Sequence, residues 1–331
     1  MRADWVLTHN VNHCPASGQM RSMEEEGMRI LIVGAGATGG YFGARLIQAG
    51  QNVTFLVREG RFNQLQQTGL VLQTRSGQET LEPQLVTAAR LDAHYDLIIL
   101  TVKSTGLAQA IHDIQPAVGP QTLIMPILNG MRHIDTLLTH FGADRVIGGL
   151  CKINATLNDK GHVVQLTPLH QIYYGALDGN NDDRLQQVDA ALRGSAVETF
   201  FSDNIIGELW EKWLLLSTLG AVCCLARGNT QQILAQAGGE MLLQGIYSEV
   251  LQVICAEGYQ PRPAVTAKIY ELLNDPSTPM TSSMYRDLTQ GFAIEADTII
   301  GDLLLRASRH GMTVPLLNAV NVNLQIYQQN R

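Results

Sequence analysis

Three glycines open the chemistry legible in this chain. In Gly34-Ala35-Gly36-Ala37-Thr38-Gly39 the first glycine permits a tight turn and the second lets backbone approach a pyrophosphate. The third lets a helix pack closely on a strand, and the free N–H groups at that helix's start face phosphate oxygens. The spacing is that of a dinucleotide-binding turn. Arg58 stands where a site that reads ribose hydroxyls usually carries Asp or Glu. A guanidinium there suits a 2′-phosphate, which points to NADPH/NADP+ over the unphosphorylated cofactor. Glu59 is the competing ribose partner, but it falls past the expected strand end, and Arg61 adds a second positive charge. A merely solvated Arg58 is the ordinary alternative.

Lys103 follows Leu100-Thr101-Val102, and Asn129-Gly130 follows Met125-Pro126-Ile127-Leu128. Ligands of open α/β sheets bind outside the carboxyl ends of the strands, so these are the next positions to consider. A lysine there can hold a cofactor electrostatically, and an asparagine can bridge a ribose and a substrate oxygen because it both donates and accepts. A solvated lysine and a turn-forming Asn-Gly pair are the plain readings of the same residues.

The elements that must position these groups alternate. Ile30–Val33 reads as a strand, Thr38–Ala49 as a helix and Asn52–Val57 as the next strand. Asp96–Val102 and Thr122–Leu128 read as further strands, with a helix over 106–114 between them. Such alternation predicts a parallel α/β sheet. Between about Arg145 and Phe201 the pattern shortens to β-like pieces at Val146-Ile147, His162–Leu166, Gln171–Tyr174 and Val197–Phe201, with one helix near Asp182–Arg193. From Asp203 nearly everything reads as helix. Ile206, Leu209, Trp210 and Trp213 follow i, i+3, i+4, i+7 spacing, and Glu240–Ala256 and Phe292–Arg309 are similarly amphipathic. The expected domains are an N-terminal extension at 1–27 without periodicity, a dinucleotide-binding domain at 28–202 and an all-helical domain at 203–331.

With 331 residues, 45% hydrophobic, the chain is long enough for two cores. A net charge of −7 without a basic run speaks against nucleic acid and anionic membrane as partners. No continuous apolar stretch of spanning length is expected. Residues 1–27 lack the pattern of a secretory signal. Cys14, Cys151, Cys223, Cys224 and Cys255 form an odd set without CxxC spacing, which suits reduced thiols and a cytoplasmic setting. His9, His13 and Cys14 lack a fourth ligand, and no metal is assigned to them. The long apolar runs of the helical half also leave room for a homodimer surface.

From Met28 onward the chain resembles the ketopantoate reductase (2-dehydropantoate 2-reductase) family. The resemblance lies in the glycine turn, Arg58, Lys103, Leu128-Asn129-Gly130-Met131, Glu208-Leu209-Trp210-Glu211-Lys212, Ser282-Ser283-Met284 and Ile294-Glu295-Ala296-Asp297 before Gly301. It implies an α/β N-terminal Rossmann domain with a doubly wound parallel sheet, an all-helical C-terminal domain, and NADPH-dependent reduction of a 2-oxo acid between them. It further implies Lys212 as catalytic acid, Glu295 as the group orienting substrate and cofactor, and Asn129 and Ser283 as ligand contacts. The leading expectation is ketopantoate reduction in pantothenate and coenzyme A biosynthesis. The others are a paralogous reductase of another carbonyl substrate and a non-catalytic NADP(H) sensor.

Chemistry supports the lysine independently. Hydride delivery to a ketone builds negative charge on oxygen, and a partly desolvated lysine supplies both a cation and a proton. Lysine occurs only at 103, 152, 160, 212 and 268. The ordinary alternative for Lys212 is a solvated i, i+4 pair with Glu208. The chain departs from the family where the resemblance implies asparagines that read the substrate, for Leu216, Gly220 and Thr230 stand there. Arg227 is therefore a candidate clamp for the substrate carboxylate, and Ser217 a candidate hydroxyl.

Overall fold

The computed structural model describes residues 27–331. The extension expected at 1–27, with His9, His13 and Cys14, therefore lies almost wholly outside the described residues. Apolar β-branched runs build a five-stranded parallel sheet from β1 (Arg29–Val33), β2 (Asn52–Leu56), β5 (Gln84–Val86), β6 (Tyr95–Leu100) and β7 (Val118–Pro126). Its strand order is β5-β2-β1-β6-β7, and every pairing is parallel. Order reverses at β1, which opens a crevice beyond the carboxyl ends of β1 and β6. Helices α1 (Ala37–Gln48), α2 (Glu59–Thr68), α3 (Leu107–Ile114) and α4 (Arg132–Phe141) provide the crossovers around this sheet. One face buries Leu31, Val33, Ile98 and Leu100 against Leu107, Ile111 and Ile114 of α3. The other buries Ile30, Ile32 and Phe55 with Tyr41 and Phe42 of α1.

A second sheet departs from the sequence expectation. The short pieces between Arg145 and Phe201 merge into β8 (Ile147–Leu157) and β9 (Val163–Ala176), an antiparallel hairpin in long register from Ile147↔Ala176 to Leu157↔Val163. With β3 (Leu70–Thr74), β4 (Gly77–Leu81) and β10 (Glu198–Phe201) it forms a second layer over α1 and α5 (Asp183–Arg193). The outer halves of β8 and β9 mix polar residues with exposed Leu157, Leu166 and Leu169, so their strands carry no regular apolar signal.

The remainder is helical: α6 (Ile205–Ala226), α7 (Thr230–Leu234), α8 (Gly239–Ala256), α9 (Pro263–Leu273), α10 (Ser283–Thr289), α11 (Asp302–Arg309) and α12 (Pro315–Gln329). The Asn204 side chain accepts from Gly207 N at 3.1 Å and so fixes where α6 starts. By length and composition α6 is apolar enough to cross a membrane, contrary to the sequence reading, yet 72% of that stretch is buried inside the helical core. Phe292–Arg309 is not one helix. Residues 292–295 are irregular, and a π turn at Asp297–Gly301 leads into α11. Ile299 O, in that turn, accepts from the buried Trp213 indole N–H at 3.2 Å.

Candidate active site

The glycine turn divides its labour. Gly34, at φ 99°, leaves β1 in a left-handed conformation. The Thr101 hydroxyl lies 2.8 Å from Val33 O and 2.9 Å from Gly34 O, pinning the turn to the end of β6. A Cβ on Gly39 would collide with Gly34 O and Thr101 Oγ1, so close packing requires glycine there. A Cβ on Gly36 would meet nothing within 4 Å. The backbone around Gly36 therefore faces open space, while Ala35, Ala37 and Thr38 complete the passage into α1. Arg58 precedes α2 and is exposed, and its guanidinium has no hydrogen-bond or ionic partner among the described residues. Arg61 is differently employed. It donates to Ala35 O at 3.0 Å and Gly161 O at 2.9 Å, bracing the turn against the β8–β9 hairpin, and burial lowers its pKa. Open backbone at Gly36, next to the helix start, fits the phosphates of a nicotinamide dinucleotide.

Three contacts draw the helical half onto the strand ends. Lys103 Nζ meets Asp287 Oδ2 at 3.0 Å. Ser104 N donates to Glu295 Oε1 at 2.8 Å. Gly130, at φ 83°, packs so closely that a Cβ would lie 3.0 Å from Thr298 O in the π turn. Ser283 is exposed on the first turn of α10, four residues before Asp287, and so shares a helix face with the partner of Lys103. Lys103, Asn129, Ser283 and Glu295 thus gather at one edge of the parallel sheet.

Lys212 does not pair with Glu208. That carboxylate binds Arg262 at 2.8 Å, and Glu211 binds the same guanidinium. Among the described residues nothing hydrogen-bonds the Lys212 ammonium, and its side chain is partly buried. Desolvation lowers its pKa below the ordinary lysine value; the Lys152 charge adds to the lowering, while Cys151 and Glu295 oppose it. His133, on the first turn of α4, is 1% exposed, and neither ring nitrogen has a partner among the described residues. Burial and then the Lys212 charge push its pKa down to about 3, so the ring is neutral. Sequence reasoning singled out neither His133 nor Lys152; the scarcity of lysine was the one available signal for the latter.

The two substitute contacts expected from sequence are otherwise placed: Arg227 lies out of reach of Lys212 and the Ser217 hydroxyl is engaged within α6, while Thr230, at the position of a replaced asparagine, is engaged elsewhere. Arg227 caps the far end of the unbroken α6 and is exposed, bonded to Asn323 at 3.3 Å. Fifteen residues beyond Lys212, at about 1.5 Å each, it lies about 22 Å along the axis, too far to share a small acid with that ammonium. The Ser217 hydroxyl is buried and donates to Trp213 O at 2.6 Å. Thr230 is likewise buried, with its hydroxyl accepting from Met280 N at 3.0 Å. At Gly220 the space a side chain would need is filled, since a Cβ would lie 2.8 Å from Met284 Cε. Among the described residues there is no cluster of metal-ligating side chains. A concavity of about 260 Å³ bounded by Arg132, Asp135, Asp302 and Arg309 contains none of the residues above.

Comparison with known proteins gives a consistent result. The family model for ketopantoate reductase PanE/ApbA matches residues 30–179, and that for the PanE/ApbA C terminal matches residues 204–328. An uncharacterized oxidoreductase YkpB of Bacillus subtilis is 33% identical over 304 residues, covering 92% of this chain and all of that protein. A 2-dehydropantoate 2-reductase of Streptococcus pyogenes is 26% identical, over 87% of this chain and 94% of the relative. The crystal structure of a PanE/ApbA family ketopantoate reductase from Ralstonia eutropha superposes with a TM-score of 0.83 at 24% identity, covering 92% of this chain and 99% of that one.

Proposed function

The chain belongs to the ketopantoate reductase family, and from that premise we propose that it reduces a 2-oxo acid to the 2-hydroxy acid with NADPH, Lys212 acting as the acid. The observation that carries the reading is the state of Lys212: partly buried, lowered in pKa, and left without a carboxylate partner by Arg262's capture of Glu208 and Glu211. Ketopantoate is the first substrate to consider, which would place the enzyme in pantothenate and coenzyme A synthesis. We set the division between cofactor and substrate domains at residues 202–203, just before α6.

The residues that would hold the cofactor are Gly34 to Gly39 and Arg58, with Lys103 and Asn129 at the strand ends. Bound NADPH supplies the hydride. Lys212 donates a hydrogen bond to the carbonyl oxygen of the substrate and passes its proton there as negative charge develops. Desolvation makes that proton easier to give, because the neutral amine is favoured in a dry site. The Glu295 charge opposes this lowering, and its bond to Ser104 N sets its position at the end of β6. Asn129 and Ser283 can donate to the substrate and the ribose.

A second reading, reduction of a 2-oxo acid with an apolar side chain, is favoured by Leu216 and by Met284 filling the space at Gly220. Loss of NADPH absorbance with purified protein, ketopantoate and a panel of other 2-oxo acids separates the two. The Lys212→Ala variant should lose turnover by roughly 10²- to 10⁴-fold while retaining NADPH binding. Normal turnover in that variant would remove Lys212 from the chemistry.

A further inference from the structure

Leu150 and Lys152 are two residues apart on β8 and share one face of the strand. Leu150 is buried in the same core as Leu209, Trp213 and Leu214, so that face looks at α6, the helix of Lys212. Lys152 Nζ donates to Tyr173 Oη at 3.2 Å and lies 4.3 Å from the centroid of that ring. Tyr173 in turn stacks on Phe200, ring centroids 4.4 Å apart. The ammonium is thus held in place by groups without negative charge. Glu208 and Glu211, the carboxylates of α6 nearest Lys212 in the chain, are both committed to Arg262. Among the described residues neither Lys152 nor Lys212 forms an ion pair. Glu295 acts on Lys212 only at a distance and is itself bonded to Ser104 N, so two partly buried cations outside any ion pair disfavour each other, and the arrangement becomes favourable when an anion enters between them. Their mutual influence is visible in the lowered pKa of Lys212.

We propose that Lys152 binds the carboxylate of the substrate whose carbonyl oxygen faces Lys212, with Tyr173 and Phe200 as the wall beside it. This rests on the assignment of Lys212 and a 2-oxo acid above. It supplies the anion contact that Leu216 and Gly220 cannot make, and it limits substrates to acids that place the carboxylate next to the carbonyl.

The test is calorimetric titration of the NADP+-bound protein, which cannot reduce its ligand, with ketopantoate, phenylglyoxylate and their methyl esters. Lys152→Met should weaken binding of the acids roughly 10- to 100-fold and leave ester binding unchanged, while Lys152→Arg should stay within a few-fold of wild type. Equal loss of acid and ester, unchanged acid binding in Lys152→Met, or no acid binding by wild type at millimolar concentration would each overturn the proposal. Acid binding that depends on Lys152 without turnover on NADPH would leave this site standing and remove the proposed reaction instead.

Discussion

Glu295 Oε1 accepts the backbone N–H of Ser104 at 2.8 Å, joining positions 191 apart in the chain. The bond places the carboxylate at the end of β6, one residue past Lys103, where it also raises the pKa of Lys212. A glutamine can keep the hydrogen bond but not the charge.

If Lys212 is the proton donor, as we propose, kcat/KM for reduction should fall as pH rises through its pKa. Cys151, Lys152, Glu295 and His133 are the titratable groups around it. Glu295→Gln removes a charge that raises that pKa, so the alkaline limb should move to lower pH. Lys152→Met removes one that lowers it, so the limb should move to higher pH. Rate profiles of the two variants shifting in the same direction would rule out this electrostatic account.

The glycine turn predicts a clean separation of folding from binding. Gly39→Ala forces a side chain onto Gly34 O and Thr101 Oγ1, and should lower the melting temperature of the ligand-free protein. Gly36→Ala meets nothing and should melt like wild type, yet bind NADPH at least roughly tenfold more weakly if, as we propose, the pyrophosphate approaches there. Thermal melts with and without NADPH read both effects.

The Arg58 guanidinium has no partner among the described residues, whereas Arg61 is committed to Ala35 O and Gly161 O. Arg58→Glu should therefore reverse or erase a preference for NADPH over NADH, with a KM for NADPH raised roughly tenfold or more. A preference that survives the substitution would show that the 2′-phosphate is read elsewhere.

His133 is held neutral in the fold but protonates near 6.5 when unfolded. Its folded pKa is depressed, so the stability it confers is complete above the unfolded value and is lost as pH falls from about 6.5 towards 3. At pH 4.5 the loss attributable to this residue should be about 2–3 kcal/mol, at roughly 1.4 kcal/mol per unit. Urea unfolding at pH 7 and pH 4.5 should show a smaller acid penalty in His133→Leu than in wild type. An equal penalty would mean that the ring is already charged or hydrated.

Arg227→Ala should leave the substrate KM unchanged, because α6 carries that side chain far from Lys212. Helical spacing along α6 is legible from Leu209, Trp210 and Trp213, but that the helix runs unbroken to Ala226, and so separates Arg227 from Lys212, is set by the core in which it is buried. The parallel sheet, the glycine turn and the helical second half were legible because apolar runs and glycine spacing are local signals. The β8–β9 hairpin was not, since its outer half mixes polar residues with exposed leucines and shows no regular alternation. Nor was Arg262 visible as the partner of Glu208 and Glu211, for it sits on a later segment and only the tertiary fold removes those carboxylates from Lys212.

The π turn at Asp297–Gly301 holds one residue more than an α-helical path through the same span would need. An α-helix advances about 100° per residue, so the extra residue is absorbed in the widened turn and the chain on either side keeps its direction. Deleting one residue there would close the turn without moving α11, and would take away the offset carbonyl of Ile299 that receives the Trp213 indole N–H. Chain length at this point thus decides whether a buried donor in α6 finds its acceptor.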